Sequence, residues 1–368
     1  MAASSTRPKQ LHSDFSPHYS QLSSFYEAST SNVLSKSLKV LLASLQKKSN
    51  KQGLRACVAI GLSGGADSSM LLATLAPFVR QFDINLHILH IHHGLMDDAD
   101  RWAEHCQSLA AYLGFQCVVL RVEVERQSGL GEEAAAREAR YQAYSQYCEH
   151  HGIDDFILAH HLNDQAETLL LRLLRGTGVK GMGGMLETHR YGGVVYHRPW
   201  LEVERQLITD AAALFTELSG FAMIRDPSNL DLRYKRAAVR RLLIPGLDQA
   251  WPQWKRNLSR HARHMLDAQA LLDELAEEDL QSLDLRDEAR DFCLASWREL
   301  SARRQSNTLR YWLTLHDIPM PTERRLNDWL RQLREVHQLG FDRGLRLKHQ
   351  NCLIVVERGR VQLCLQAD

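Results

Sequence analysis

No apolar run in the 368-residue sequence approaches the roughly 18 residues of a membrane-spanning helix, and no secretory h-region follows the N-terminus. A membrane partner is therefore not expected. The seven cysteines (Cys57, Cys106, Cys117, Cys148, Cys293, Cys352 and Cys364) include no Cys-x-x-Cys pair, and their number is odd. That argues against a disulfide framework or a cysteine-rich metal site and fits a reducing cytoplasm. Excess charge of either sign is missing too: 45 Lys+Arg face 44 Asp+Glu, for a net charge of +1. Any surface for a polyanion must then be local. There is no Gly-Lys-Ser/Thr, hence no Walker-type phosphate loop, and no internal repeat. What is present is a globular composition, 44% hydrophobic, long enough for two or three domains.

Residues 1 to about 30 are polar and Ser-rich, which predicts a flexible leader. A helical face begins at Val33 and runs through Leu34, Leu38, Leu41, Leu42 and Leu45. From there to about residue 175 strands and helices alternate. The strands are expected at 57–62, 86–92, 116–124 and 155–160, and the intervening helices at 69–75, 99–113, 133–150 and 163–175, several of them closed by glycine. This alternation predicts an α/β fold with a doubly wound, mainly parallel sheet, whose ligands bind beyond the C-terminal strand ends. The glycine-dense stretch 176–184 is expected to be a mobile loop, after which the β/α rhythm stops. A mainly α-helical domain should follow, with helices near 206–218, from Pro252 onward, and near 298–315 and 322–333; strands are expected only near 345–347 and 352–356. The expected domains are 31–225 (catalytic), 226–340 (helical) and 341–368 (the start of a further segment).

The chemistry is expected at three strand ends. Ser63-Gly64-Gly65-Ala66-Asp67-Ser68 links an apolar strand to a helix. Its glycines allow a tight turn, while its hydroxyls and the first free N–H groups of the helix suit phosphate. An Asp in such a loop would repel phosphate unless a cation intervened, so Asp67 suggests Mg²⁺; the bland alternative is a helix N-cap. His160-His161-Leu162-Asn163-Asp164-Gln165-Ala166-Glu167-Thr168 crosses from another strand into a helix, with Asp164, Glu167 and Thr168 on one face. Two carboxylates and two imidazoles there suit a metal, an ammonium group or a ribose, or are merely a favourable helix start. His90, His92 and His93 cluster at a third strand end, in a spacing that matches no standard zinc site. Glu133, Arg137 and Arg140 lie at helical spacing, where the arginines could grip phosphate or simply pair along a solvated face. Finally, Arg233, Lys235, Arg236, Arg240, Arg241, Lys255, Arg256, Arg260 and Arg263 are opposed locally by Asp248 alone. Such a basic stripe suits a nucleic-acid backbone, unless acids elsewhere pair with it.

Taken in order, these motifs resemble those of the N-type ATP pyrophosphatase superfamily, whose loop reads Ser-Gly-Gly-x-Asp-Ser. Within it they resemble the tRNA(Ile)-lysidine synthetase family, over about residues 53 to 360. The likeness rests on Ser63 to Ser68, His92-His93-Gly94-Leu95, Glu133 to Tyr141, Ala159 to Thr168, Arg175-Gly176-Thr177-Gly178, Gly181 to Met185, Arg198-Pro199, and Asp226-Pro227-Ser228-Asn229 through Tyr234, Arg236, Arg240 and Pro245. The resemblance implies an adenine nucleotide α-hydrolase-like fold and a ligase working in the cytoplasm. ATP would adenylate the C2 oxygen of the wobble cytidine in the CAU-anticodon isoleucine tRNA, and free L-lysine would then displace AMP to give lysidine. It also implies ATP binding by Ser63, Gly64, Gly65, Ala66, Asp67, Ser68 and His93, with Mg²⁺ on Asp67. Catalysis would fall to Asp67, His160, Asp164, Arg137 and Arg140, lysine binding to Asp164 and Glu167, and tRNA contact to Arg233, Lys235, Arg236 and Arg240.

Three departures stand out: Asn163 where the family usually has Asp, Ala237 where it usually has Asn, and an end at Asp368 where longer members carry a further domain. The alternatives are a thiolating enzyme of the same superfamily, which would usually need a Cys-x-x-Cys pair or a catalytic cysteine disulfide; an amidating synthetase, which would not need the basic stripe; and a non-catalytic tRNA-binding relative, against which Asp67, Asp164 and Glu167 argue. No feature specifies an oligomeric state.

Overall fold

The computed structural model describes residues 21–30, 33–94, 98–123, 132–227, 231, 233–336, 344–350 and 352–365. Residues 1–20 of the expected leader lie outside them, as do Leu95, Ser228 and Asn229 of the family motifs. The chain forms two compact units, Met1–Ala262 and Arg263–Asp368.

In the first unit, α1 (Ser23–Thr30) and α2 (Val33–Lys51) precede β1 (Cys57–Gly61), α3 (Ala66–Gln81), β2 (Asn85–His92), α4 (Ala99–Tyr112), β3 (Cys117–Arg121), α5 (Glu132–His150), β4 (Asp155–Ile157), α6 (Leu162–Leu174) and α7 (Val179–Met182). Then come β5 (Thr188–Tyr191), β6 (Val194–His197), α8 (Arg205–Ser219), α9 (Lys235–Ala238), a π-helical turn Val239–Leu243, α10 (Ile244–Ala250) and the start of α11 (Trp254–Gln281). The six-stranded sheet has the order β3-β2-β1-β4-β6-β5, parallel except for β5. Both faces are covered, so strand residues are buried on alternate sides. Val58, Ile60 and Ile88 pack under α1–α3 and α8, whereas Ala59, Leu89 and Ile91 meet Tyr141, Tyr144, Phe156 and Tyr196.

Three expectations change here. Residues 22–26 are not part of a loose leader: Leu22, Phe25 and Tyr26 are buried, and Phe25 stacks edge-on against Phe215. The stretch 176–184 is not an open loop. It contains α7 and is tied to α6 by Arg172 Nη1, which donates to the carbonyls of Gly181 (2.6 Å) and Gly184 (2.8 Å), and by the Gln165 amide, which bonds both ways with the Met185 backbone. Nor does the strand rhythm stop at residue 176, because the β5–β6 hairpin extends the sheet. Its turn is Gly192-Gly193, both at positive φ, a two-residue signal visible in the sequence.

In the second unit the rest of α11 leads to β7 (Asp291–Cys293), α12 (Leu294–Glu299), α13 (Ala302–Leu315), α14 (Glu323–Glu335), β8 (Leu345–His349), β9 (Cys352–Glu357) and β10 (Arg360–Leu365). The helices pack on an antiparallel sheet of order β7-β10-β9-β8, with Trp297, Trp312, Leu326, Ile354 and Val361 in one core. Ser301 and Thr322 cap α13 and α14. The strands from 344 onward therefore complete the core of the preceding helices. The break between units falls inside α11, not at 225/226 or 340/341, because residues 233–262 pack with the first unit: Ser259, for example, donates to Glu202 at 2.8 Å.

One buried charge cluster ties β4 to its neighbours. Asp155 accepts from His197 Nε2 (2.8 Å) and pairs with Lys48 Nζ (3.4 Å). Burial alone would raise the Asp155 carboxyl, but His197 and Lys48 outweigh it and hold it below the usual carboxylate range. A depressed folded-state pKa adds stability that is present above the unfolded value and disappears as pH falls through the folded one. Asp155→Asn should therefore cost about 1–3 kcal/mol in denaturant unfolding at pH 7 and progressively less as the pH drops below 4. Equal costs at both pH values would contradict this.

Candidate active site

A cleft of about 1680 Å³ opens at the C-terminal ends of β1, β2 and β4. Its floor is the Ser63–Ser68 loop. Ser68 closes the loop: its hydroxyl accepts from Ser63 N (3.1 Å), lies 3.0 Å from Ser63 Oγ, and donates to Gly65 O (3.3 Å). Gly64 has φ +79°, and a Cβ there would overlap Ile224, whose N–H donates to Gly64 O at 2.9 Å. Only glycine satisfies both demands. Gly65, not Asp67, is the N-cap of α3, and no side chain caps this end. Its first N–H groups are thus left for an anion. Asp67 sits in the first turn with Oδ1 buried and without a hydrogen-bond partner; His161 Nε2 stands 3.5 Å away and Arg205 Nε 3.6 Å.

The opposite wall is the head of α6. His161 is its N-cap, and Nδ1 accepts from Asp164 N (3.2 Å) while Asp164 Oδ2 accepts from His161 N (3.2 Å). With Nδ1 accepting, the imidazole proton is on Nε2, between Asp67 and Asp164 (3.4 Å). His161 therefore links the phosphate loop to the acidic helix. Burial pushes His160 down to about 3, keeping it neutral, and its Nδ1 accepts from Arg198 Nε at 3.2 Å. For Asp164, burial works against ionisation, but His161, Arg236 and the hydrogen bond from His161 N outweigh it and hold the carboxyl below its usual range. Asn163, the first departure from the family pattern, accepts from Arg205 N at 3.2 Å. It thereby caps the start of α8, a task that a neutral amide oxygen performs as well as a carboxylate.

Arg236 and Arg240, the residues expected to contact tRNA, are folded against the acids of α6 in this structure. Arg236 Nε donates to Glu167 Oε2 (3.0 Å) and Arg240 Nε to Glu167 Oε1 (2.7 Å), and both guanidiniums lie 3.8 Å from Asp164 Oδ1. Much of the basic stripe is paired in the same way: Arg233 with Asp231, Lys255 with Asp248, and Arg256 with Glu204. Asp231 and Asp248 are close in the chain, while Glu167 and Glu204 come from across the fold; none of these acids is from the stretch 267–291. Lys235 is exposed at the head of α9.

The third wall carries Arg137, Arg140 and His93. Arg137 donates to Tyr141 Oη (3.2 Å) and lies over its ring, while Arg140 donates to His93 Nε2 (3.3 Å). Burial, reinforced by Arg140, lowers His93 to about 4, so it is neutral; its Nδ1 is buried without a partner. His90 and His92 have other partners, Leu62 O (2.8 Å) and Asp100 (3.1 Å). Among the described residues, no group of three or more His, Cys, Asp or Glu is placed to hold a metal by itself. Arg205 was not singled out from the sequence. It is a lone arginine outside every motif, and only the packing of α8 brings it to Asp67.

An anion loop without a Walker lysine, at the end of β1 in this sheet order, defines a phosphate-loop nucleotide enzyme, and a family model described as a PP-loop domain matches residues 35–247. A second, described as a TilS substrate binding domain, matches residues 292–362. A tRNA(Ile)-lysidine synthase of Bordetella parapertussis is 48% identical over 304 residues, 83% of this chain and 88% of the relative. That of Bordetella pertussis is 47% identical and 94% covered, and that of Chromobacterium violaceum is 40% identical over 80% of this chain and 65% of its own length. The chain belongs to the tRNA(Ile)-lysidine synthase family. Among the described residues, no helix is long and apolar enough to cross a membrane.

Proposed function

We propose that this chain uses ATP and free lysine to form lysidine on the wobble cytidine of the CAU-anticodon isoleucine tRNA, in the cytoplasm. The observation that carries the proposal is the opposition, across one cleft, of an uncapped helix N-terminus and the acidic head of α6, where Asp164 lines the cleft and buried Glu167 lies one turn further on. The first suits a polyphosphate and the second an amine.

The reaction has two steps. The C2 oxygen of the cytidine attacks the α-phosphorus of ATP, and pyrophosphate leaves. The lysine side-chain amine then attacks C2, loses a proton, and AMP leaves with the oxygen. Ser63, Gly64, Gly65, Ala66 and Ser68 cradle the departing pyrophosphate. Asp67, whose buried Oδ1 accepts no hydrogen bond, fits Mg²⁺, which needs only one or two carboxylates beside phosphate oxygens and water. When bound, Mg²⁺ supplies charge neutralisation on the phosphates. Arg205, half-exposed beside Asp67, is a further phosphate ligand. Arg137 and Arg140 steady the phosphates or the activated base, and His93 offers its unpartnered Nδ1–H to the nucleotide. Neutral His160 orients the base beside Asp164. Asp164 and Glu167 hold the lysine ammonium, and ionised Asp164 takes the proton from the attacking amine. Arg233 and Lys235 meet tRNA phosphates, and the region 292–362 contributes to tRNA binding.

The test is to mix the protein with ATP, Mg²⁺, labelled lysine and unmodified transcript. Label should enter the tRNA with equal release of AMP and pyrophosphate. Acceptance of sulfur or ammonia in place of lysine would sink the proposal. Thiolation is disfavoured at the site itself: all seven cysteines are free, and burial raises the thiol of Cys106, the cysteine beside the loop, well above its ordinary value.

A further inference from the structure

Tyr144 takes no part in the steps above, yet it belongs to the cleft. It lies on α5 one helical turn beyond Arg140, outside the family motifs, and lines the cleft with only 5% of its surface exposed. Its ring is fixed by packing, with Phe156 of β4 tilted against it at 4.4 Å between centroids. Its hydroxyl, by contrast, has no hydrogen-bond partner among the described residues. A buried phenol normally finds one, because an unpaired hydroxyl in apolar surroundings is costly. Burial pushes Tyr144 up to about 12, so the hydroxyl keeps its proton at neutral pH and can donate as well as accept.

The backbone beneath makes room for this group. A Cβ on Gly61, the last residue of β1, would stand 2.5 Å from Tyr144 Oη and 3.1 Å from Cζ. Gly61 is not at positive φ, so space and not backbone conformation calls for glycine there. Ile91, Gly61, Leu158 and Ala159 line the cleft at the ends of three adjacent strands, β2, β1 and β4. None of the four has a polar side chain. Such a floor suits neither a phosphate nor an ammonium, for which the Ser63–Ser68 loop and the acids of α6 are available. An apolar floor with a single hydrogen-bonding group suits a flat heterocycle.

We infer that the Tyr144 hydroxyl hydrogen-bonds to a nucleobase lying over the Gly61 end of β1. The inference rests on the cleft being the nucleotide site of the proposed reaction. Two bases take part in that reaction, the adenine of ATP and the wobble cytosine of the tRNA. Both present ring nitrogens and an exocyclic amine that a phenol can meet.

Tyr144→Phe removes one oxygen and keeps the ring against Phe156, so the fold should survive. Affinities for ATP with Mg²⁺ and for the unmodified CAU transcript are measured by direct binding to the full chain. Each is measured beside a partner ligand without the base: ribose 5-triphosphate for ATP, and a transcript abasic at the wobble position. Loss of one neutral hydrogen bond should weaken one of the two base-bearing ligands by about three- to tenfold and leave its base-less partner unchanged. Weaker ATP binding would assign the contact to adenine, and weaker transcript binding to the cytosine. If neither ligand weakens, the hydroxyl touches no base and the inference is wrong. If the base-less ligands weaken by the same factor, Tyr144 only shapes the cleft, and the inference is again wrong. Binding does not depend on lysine transfer. A chain that shows the expected base dependence yet incorporates no lysine would overturn the reaction and leave the Tyr144 contact standing.

Discussion

Asp67→Ala should reduce lysidine formation by roughly 10³-fold or more while leaving tRNA affinity within about twofold. Asp67 is the acid of the phosphate loop, and its buried Oδ1 has no hydrogen-bond partner to satisfy it in the free enzyme. His161 Nε2 (3.5 Å) and Arg205 Nε (3.6 Å) only approach it, and in the proposed reaction it would serve the cation that accompanies the nucleotide. Removing it leaves the loop backbone intact, because the turn is closed by Ser63, Gly65 and Ser68 rather than by Asp67. The tRNA-dependent exchange of pyrophosphate into ATP should disappear along with turnover. Loss of tRNA binding with exchange preserved would reverse the assignment.

Asp164→Asn separates the two chemical steps. Asparagine retains the oxygen that accepts from His161 N, so the start of α6 should remain folded. What is lost is the negative charge, which the surroundings hold ionised well into acid. Pyrophosphate release should persist, while transfer of lysine falls by about 10²–10⁴-fold, the range of general acid–base catalysis. A single-turnover experiment with labelled ATP and labelled lysine would reveal adenylated tRNA accumulating ahead of lysidine. Equal slowing of both steps would place Asp164 in adenylation instead. In the native enzyme Asp164 carries its charge throughout neutral pH, and its contribution to transfer is lost only as pH falls below the ordinary carboxylate range. His160, neutral down to about pH 3, adds no acid limb above that.

Much of this site is local in origin and so was legible in the sequence. Strand, glycine turn and helix are consecutive in Cys57 to Leu75, and the acid pair of α6 is fixed by helical spacing within a single turn. The parallel sheet follows from the alternation of apolar runs with glycine-closed helices. Shorter or more polar elements were missed. Thr188–Tyr191 is an exposed edge strand without apolar alternation, and β7 and β10 acquire strand character only by pairing with each other and with β9. Leu22, Phe25 and Tyr26 form too short an apolar pattern to announce a helix that is buried against α2 and α8.

The sequence by itself placed a glycine turn suited to an anion at the end of β1, two carboxylates at the end of β4, and a basic segment after them. Each depends on neighbours a few residues apart, where backbone geometry dictates which side chains meet. Only the tertiary structure decided how those parts are wired. His161 bridges the loop to the acids, Arg205 comes in from α8, and Arg236 and Arg240 turn inward onto Glu167 instead of outward to solvent. Those contacts join residues far apart in the chain, and a guanidinium at the surface and one on a buried carboxylate have the same sequence signature. Packing selects between them, because burying Glu167 is tolerable only if opposite charge is buried with it.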